Sequence, residues 1–151
     1  MLEKMLALQN KRKKEGGFTL VELIVVLVIL AILAALLIPA LTGYIDKAKE
    51  KSITAECRQA VMAAQTLADE KYATNTKTAI AFDSATTKST DATKVSQGDI
   101  KELGEVSGTV SDVTFNKGKV TTLTYTNGGK KCVYTANPTG NTEKYAPSDA
   151  D

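Results

Sequence analysis

The sequence predicts an α+β protein in which one long N-terminal helix packs on a small antiparallel β-sheet. Three observations predict this fold. An apolar stretch near the N-terminus is long enough to cross a membrane. Helical periodicity of apolar residues continues after that stretch. The last third of the chain alternates apolar and polar residues between short turn sequences. We therefore expect a helix with a membrane-spanning half and an amphipathic half.

The composition disfavours several classes of enzyme. The 151 residues are enough for one modest domain and an additional segment. The chain has no histidine, which is the commonest general base and metal ligand. Its two cysteines are too few for a closed zinc site, which takes about four ligands. We expect no enzymatic activity, no metal site and no cofactor.

The positive charge of the chain is concentrated at its N-terminus. The formal net charge is +2, yet residues 1–17 contain five basic and only two acidic residues. Basic residues directly before an apolar span are typical of the cytoplasmic side of membrane proteins. This pattern predicts a cytoplasmic leader and a C-terminal domain outside the membrane, and it gives no reason to expect a specific nucleic-acid partner.

The apolar stretch is uninterrupted from Leu23 to Ile38. With its flanking residues it reaches the roughly 20 residues that a membrane span needs. The core of an ordinary signal peptide is shorter, about 7–15 residues, and a buried helix of a soluble protein would need cover on all sides. The single charge within residues 18–41 is Glu22. It is either an interfacial carboxylate or the partner of a charge on another subunit, and the sequence leaves both open.

The residues before the apolar stretch carry a family resemblance. Gly16 and Gly17 are followed by Phe18-Thr19-Leu20-Val21-Glu22, and this order resembles the class III signal of type IV prepilins and pseudopilins. The resemblance implies cleavage by a prepilin peptidase between Gly17 and Phe18, followed by N-methylation of Phe18. It also implies roles in assembly for Glu22, the fifth residue of the mature chain, and for Pro39, where many family members have a proline.

The same resemblance implies a function. The chain would be a structural subunit of a type IV pilus that polymerises through its N-terminal helix into a surface filament for adhesion, motility or related functions. Its partners would be other copies of itself in a helical homopolymer, the prepilin peptidase/methyltransferase, a pilus assembly platform and a separate ATPase motor. The precursor would cross the cytoplasmic membrane once. Two alternatives stay open: a pseudopilin of a type II secretion or competence system, and a single-span membrane-anchored binding protein.

The domain organisation that follows resembles the pilin fold. The predicted segments are the leader 1–17, the apolar helix 18–41, the amphipathic helix 42–72, the αβ loop 73–107, and the sheet with its C-terminal tail, 108–151. Pro39 either ends the first helical segment or kinks or melts it locally. We favour a kink or local melting, because the helical periodicity of apolar residues resumes directly after Pro39. Within the loop, Ser96–Leu103 is predicted to form a short helix with Ser96 as its N-cap.

The C-terminal third predicts three strands joined by tight turns. Asn127-Gly128 is a strong hairpin signal, and Lys117-Gly118 provides the other turn. A three-stranded meander of this kind buries one face against the helix and leaves the other in water. The predicted strands are Ser111–Asn116, Lys119–Tyr125 and Lys130–Ala136, followed by a polar tail over Asn137–Asp151.

The two cysteines lie in elements that are predicted to pack together. Cys57 is in the amphipathic helix and Cys132 in the last predicted strand. Cysteines outside the membrane often pair, whereas free cysteines often act as small buried hydrophobic residues. Both interpretations remain open. The usual disulfide of the family that the chain resembles encloses a C-terminal loop, and this chain departs from that pattern.

Overall fold

The computed structural model describes residues 1–5, 17–75, 79–140 and 142–150. Gly16 and the basic residues between positions 11 and 14 lie outside the described residues. The chain divides into two compact units, Met1–Tyr44 and Ile45–Asp151. The elements are α1 (Leu20–Thr74), β1 (Ala81–Asp83), β2 (Lys94–Ser96), α2 (Gln97–Gly104), β3 (Thr109–Asn116), β4 (Lys119–Asn127), β5 (Lys130–Thr135) and β6 (Tyr145–Asp149).

In the first unit, α1 has no protein core around it. All described residues from 17 to 44 are exposed, although most of them are large and apolar. The helix is long and apolar enough to cross a membrane. It continues through Pro39, so the local melting that we favoured at this position does not occur. Proline removes only one helical N–H, and its own carbonyl accepts a hydrogen bond from the Thr42 hydroxyl at 2.9 Å.

In the second unit, α1 is amphipathic and packs on the sheet. Its buried face consists mainly of small residues, which let the backbone of the sheet approach closely. These residues are Ile53, Cys57, Ala60, Val61, Ala63, Ala64 and Ala68. The periodicity in the sequence extended this face back to Leu41, Tyr44 and Ile45, but all three are exposed. The buried face begins only at Ile53.

The sheet has four antiparallel strands in the order β3-β4-β5-β6. Together with α1, these strands confirm the predicted α+β fold, and three of them were predicted from the sequence. The fourth, β6, lies in the segment that the sequence predicted as a polar tail. Cys132 of β5 lies opposite Pro147 of β6. A proline is tolerated there because β6 is an edge strand, and a short proline-containing segment gives no strand signal.

The connection between α1 and the sheet contains more regular structure than predicted. β1 and β2 form a short parallel pair, and three residues per strand are too few to show a period in the sequence. The predicted short helix is confirmed as α2. Its N-cap Ser96 accepts a hydrogen bond from the backbone N–H of Asp99, whose side chain in turn accepts one from the backbone of Ser96.

Candidate functional site

The predicted cleavage site lies immediately before α1. Gly17, Phe18 and Thr19 are outside the helix, which begins at Leu20. A side chain added at Gly17 would meet no atom within 4 Å, and Phe18 is 83 % exposed. The peptide bond between Gly17 and Phe18 is therefore accessible and lies outside regular secondary structure. Gly16, the other glycine of the predicted site, lies outside the described residues.

Thr19 and Glu22 form a capping box at the start of α1. The Thr19 backbone N–H and hydroxyl donate to Oε2 of Glu22 at 2.8 and 2.9 Å, and the Glu22 backbone N–H donates to the Thr19 hydroxyl at 3.2 Å. Such reciprocal bonds satisfy backbone donors that a helix start leaves unpaired. No separate role for Thr19 was predicted from the sequence. The order Thr-x-x-Glu before an apolar run is the signature that would have revealed it.

The position of Glu22 is favourable for a negative charge. It occupies the first turn of α1, where the helix dipole stabilises anions. Both hydrogen bonds from Thr19 go to Oε2, and within the described parts of the chain neither a hydrogen bond to Oε1 nor an ion pair to Glu22 is found. The carboxylate is thus held in place by its own chain while one oxygen stays open to a cation.

The remaining predicted site residues do not join this cluster. Pro39 follows Glu22 along the same helix by about 25 Å, at 1.5 Å per residue. Cys57 and Cys132 belong to the second unit, where the structure brings them together. The Sγ atom of Cys57 lies 3.7 Å from the carbonyl oxygen of Cys132, and both side chains are fully buried and not bridged in this structure. The residues of the predicted cleavage and assembly site that the structure describes thus belong to the first unit, and the two cysteines belong to the second.

A polar cluster that the sequence did not reveal joins α1 to the sheet. The hydroxyl of Tyr125 donates to Oε2 of Glu56 at 2.6 Å and accepts from the backbone N–H of Gly108 at 2.8 Å. Asn127 also donates to Glu56, at 2.8 Å. Burial and the hydrogen bond to Glu56 raise the pKa of Tyr125 to about 12. Glu56 looked like one of several exposed charges on the helix, and no sequence spacing links it to a tyrosine 69 residues later.

The described residues hold no group of three or more histidine, cysteine, aspartate and glutamate side chains that could bind a metal ion. The first unit offers an accessible peptide bond after Gly17, a capped helix start and a carboxylate with one open oxygen.

Residues 12–38 match the family described as the prokaryotic N-terminal methylation motif. These residues form a type IV prepilin-like class III signal. The match includes Gly17, Phe18 and Glu22 and ends one residue before Pro39. No curated protein and no solved structure shows a significant match to the chain.

The signal and the fold agree with each other. The long apolar helix followed by an antiparallel four-stranded sheet is a pilin-like α+β arrangement. Together they support a precursor of the type IV pilin or pseudopilin type. In such precursors the motif implies processing by a prepilin peptidase. An apolar helix of this length is consistent with anchoring in a membrane before assembly.

Proposed function

We propose that the chain is the precursor of a structural subunit of a type IV pilus. It is cleaved after Gly17, N-methylated at Phe18 and polymerised through the N-terminal half of α1 into a surface filament that serves adhesion, motility or a related surface function. One observation carries the proposal. The methylation motif runs directly into a helix whose described residues up to Tyr44 are all exposed and mostly apolar.

The apolar surface of such a helix must be shielded from water by molecules other than its own chain. Exposure of apolar surface to water costs about 25 cal/mol for each Å², and nearly every residue between Leu20 and Leu41 contributes. Lipid provides the cover while the precursor is in the membrane. Once the helix leaves the membrane, helices of other copies can replace lipid. Polymerisation is therefore the route by which the helix leaves the bilayer without contact with water.

Glu22 gives the assembly its register in this proposal. Cleavage creates an α-amine at Phe18, and α-amines ordinarily titrate near pH 7.7–8.0. In an apolar filament core an isolated carboxylate is costly unless a cation pairs with it. The amine of a neighbouring subunit can approach Oε1 of Glu22, while Thr19 holds Oε2. A shifted helix would leave both charges unpaired. Prepilin peptidase/methyltransferase, an assembly platform and a separate ATPase motor act on the chain before and during this step.

The cleavage assignment is tested by two substitutions of Gly17. We expect Gly17→Glu to keep its leader, because a large charged side chain next to the scissile bond blocks the close approach that a glycine permits. Gly17→Ala is the matched control and is expected to retain partial processing. Intact mass with N-terminal fragmentation of protein sheared from cells identifies the first residue and its methylation. Normal processing of Gly17→Glu would contradict the assignment.

The role of Glu22 is tested by separating its charge from its capping function. Glu22→Gln keeps a side chain that can complete a capping box but removes the charge, whereas Glu22→Val removes both. We expect both variants to insert into the membrane and both to yield few filaments in electron micrographs of sheared material. If Glu22→Gln forms normal filaments and only Glu22→Val fails, the helix cap is the essential feature and the charge-pairing account is wrong.

A further inference from the structure

The two buried cysteines of the second unit form a covalent site that the proposed function does not use. We propose that Cys57 and Cys132 form an intramolecular disulfide that joins α1 to β5 when the second unit folds in an oxidising environment. The pairing is a property of the second unit and does not depend on whether the chain forms filaments.

The first support is geometric. The two cysteines are 75 residues apart in sequence, yet Sγ of Cys57 lies 3.7 Å from the backbone carbonyl oxygen of Cys132. Disulfides form between cysteines whose Cα atoms are about 4.4–6.8 Å apart. The contact shows that α1 and β5 are adjacent at these two residues, so pairing does not require α1 to pack on another part of the sheet.

The second support is the burial of the two cysteine side chains. Both side chains have no exposed surface. Pro147 of β6 lies opposite Cys132 in the sheet. Tyr145, at the start of the same strand, receives the guanidinium of Arg58 over its ring at 5.0 Å. The edge strand and the helix thus close over the cysteines and separate them from solvent, as is usual for structural disulfides and unlike reactive, exposed thiols.

The bond forms by exchange with a disulfide of a small molecule or of another protein, which acts as the oxidant. The two S–H bonds break and one S–S bond forms between Cys57 and Cys132. Two protons and two electrons pass to the disulfide of the oxidant, which becomes two thiols. This exchange proceeds through a mixed disulfide, which requires access to one of the cysteines. Because both are buried in the folded unit, the bond forms during folding or while β6 is detached.

Once the unit has folded, the thiols are poorly reactive. The contact with the Cys132 side chain and the loss of solvent raise the pKa of the Cys57 thiol. The same contact lowers the pKa of the Cys132 thiol, so the low reactivity of the pair follows from burial, which keeps disulfides and alkylating reagents away from both sulfur atoms. The site therefore suits a bond that is made once and kept, and not one that exchanges repeatedly.

The expected effect on folding is large. In the chain-entropy model, closing a loop of this length increases the ratio of folded to unfolded molecules on the order of 10³-fold. The competing interpretation, two small buried hydrophobic residues, gives a different expectation. In that case a reducing agent would change neither the thiol content nor the unfolding midpoint.

The test uses the full chain purified from membranes in detergent, unfolded, and refolded in a buffer of reduced and oxidised glutathione. The product is denatured with an alkylating reagent, with or without prior reduction, and analysed by peptide mass mapping. We expect no alkylation without reduction and one cross-linked peptide pair containing Cys57 and Cys132. Two alkylated cysteines without reduction, a glutathione adduct on either cysteine, or a bond between two chains would each overturn the proposal.

A double variant provides the matched control. Cys57→Ala/Cys132→Ala keeps small side chains at both positions but cannot form a bond. We expect a reducing agent to lower the unfolding midpoint of the wild type to near that of the variant and to leave the variant unchanged. If the variant fails to fold, the unfolding midpoints of the wild type with and without reductant still show whether the disulfide is present. An unchanged wild-type midpoint would overturn the proposal.

The same mass mapping on protein sheared from the cell surface separates this inference from the proposed function. A disulfide in the refolded chain together with free thiols in the cellular protein would contradict the predicted placement of the second unit outside the membrane. Free thiols in both samples would contradict the disulfide itself.

Discussion

Replacing Tyr125 by phenylalanine removes a single oxygen atom from the contact between α1 and the sheet. That oxygen donates to Glu56 at 2.6 Å and accepts from Gly108 at 2.8 Å. The Tyr125 side chain is fully buried, so water does not simply take its place. The substitution leaves the ring unchanged and isolates the hydrogen bonds as the cause of any effect.

The expected magnitude follows from the two partners. A hydrogen bond to a charged group is worth about 1.5–3 kcal/mol, and a buried donor left unpaired costs about 1–3 kcal/mol. Asn127 keeps its bond to Glu56 at 2.8 Å, which offsets part of the first loss. We expect Tyr125→Phe to lower the free energy of unfolding by about 3 kcal/mol. For a unit of this size that corresponds to a decrease in Tm of about 12 °C.

Circular dichroism of the tyrosine side chains, followed during heating and during urea unfolding, measures this change. Tyr44→Phe is the matched control, because Tyr44 is 72 % exposed and its substitution is expected to change stability by less than about 0.5 kcal/mol. A double-mutant cycle with Glu56→Gln then measures the coupling between the two groups. A Tyr125→Phe variant as stable as the control would refute the hydrogen-bonded contact that we describe.

Three further predictions concern the second unit. The pKa of Tyr125 is raised from 10.0 to about 12, so the folded state holds its proton more tightly than the unfolded state. Its contribution, about 3 kcal/mol at 1.36 kcal/mol for each pKa unit, is complete below pH 10 and is lost as the pH rises to 12. Alkaline unfolding of Tyr125→Phe should lack this loss. Gly108→Ala should lower the free energy of unfolding by about 2–3 kcal/mol, because the added methyl group would overlap the Thr126 carbonyl oxygen. Gly43→Ala is the control, since a methyl group there would enter open space. Equal Tm values for the two variants would contradict the overlap. Ser96→Ala removes the N-cap of α2 and should cost about 1 kcal/mol in urea unfolding; an unchanged midpoint would contradict the cap.

The sequence predicted those parts of the molecule whose signals are local. The apolar run, the Ala-rich face of α1, the hairpin turn at Asn127 and the N-cap at Ser96 each depend on neighbouring residues. The signal around Gly17 and Phe18 is likewise contiguous, and the match over residues 12–38 supports it. Local patterns of this kind are visible in one sequence without any knowledge of distant contacts.

The features that the sequence did not predict depend on distant partners or on very short elements. Strand β6 contains a proline and is held by pairing with β5, and β1 and β2 have three residues each. The bond between Glu56 and Tyr125 links positions 69 residues apart. At Pro39 the sequence left a helix end, a kink and local melting open, and the helix neither ends nor melts there. Helix-forming residues on both sides outweigh one missing N–H, so a residue that favours a break does not always produce one.

The two halves of α1 share one secondary structure and differ in what can cover them. In the second unit the buried face is made of small residues, and polar side chains fix the position of the helix on the sheet. Gln65 donates to the carbonyl oxygen of Gly118 at 3.0 Å and accepts from the backbone N–H of Val120 at 2.9 Å, in addition to the contact of Glu56. Directional bonds of this kind favour one register, because a shift would leave buried groups unpaired.

Among the residues that the structure describes, the half of α1 in the first unit makes no such bonds to buried groups. Contacts between large aliphatic side chains are not directional, so lipid or another helix could cover this half of α1 in many registers. Glu22 carries the single charge between Leu20 and Tyr44 and therefore distinguishes one register from another. This division explains why the proposed assembly depends on a single carboxylate at the end of an otherwise apolar surface. It also explains why removal of that charge should impair assembly while membrane insertion, which depends only on the apolar surface, is preserved.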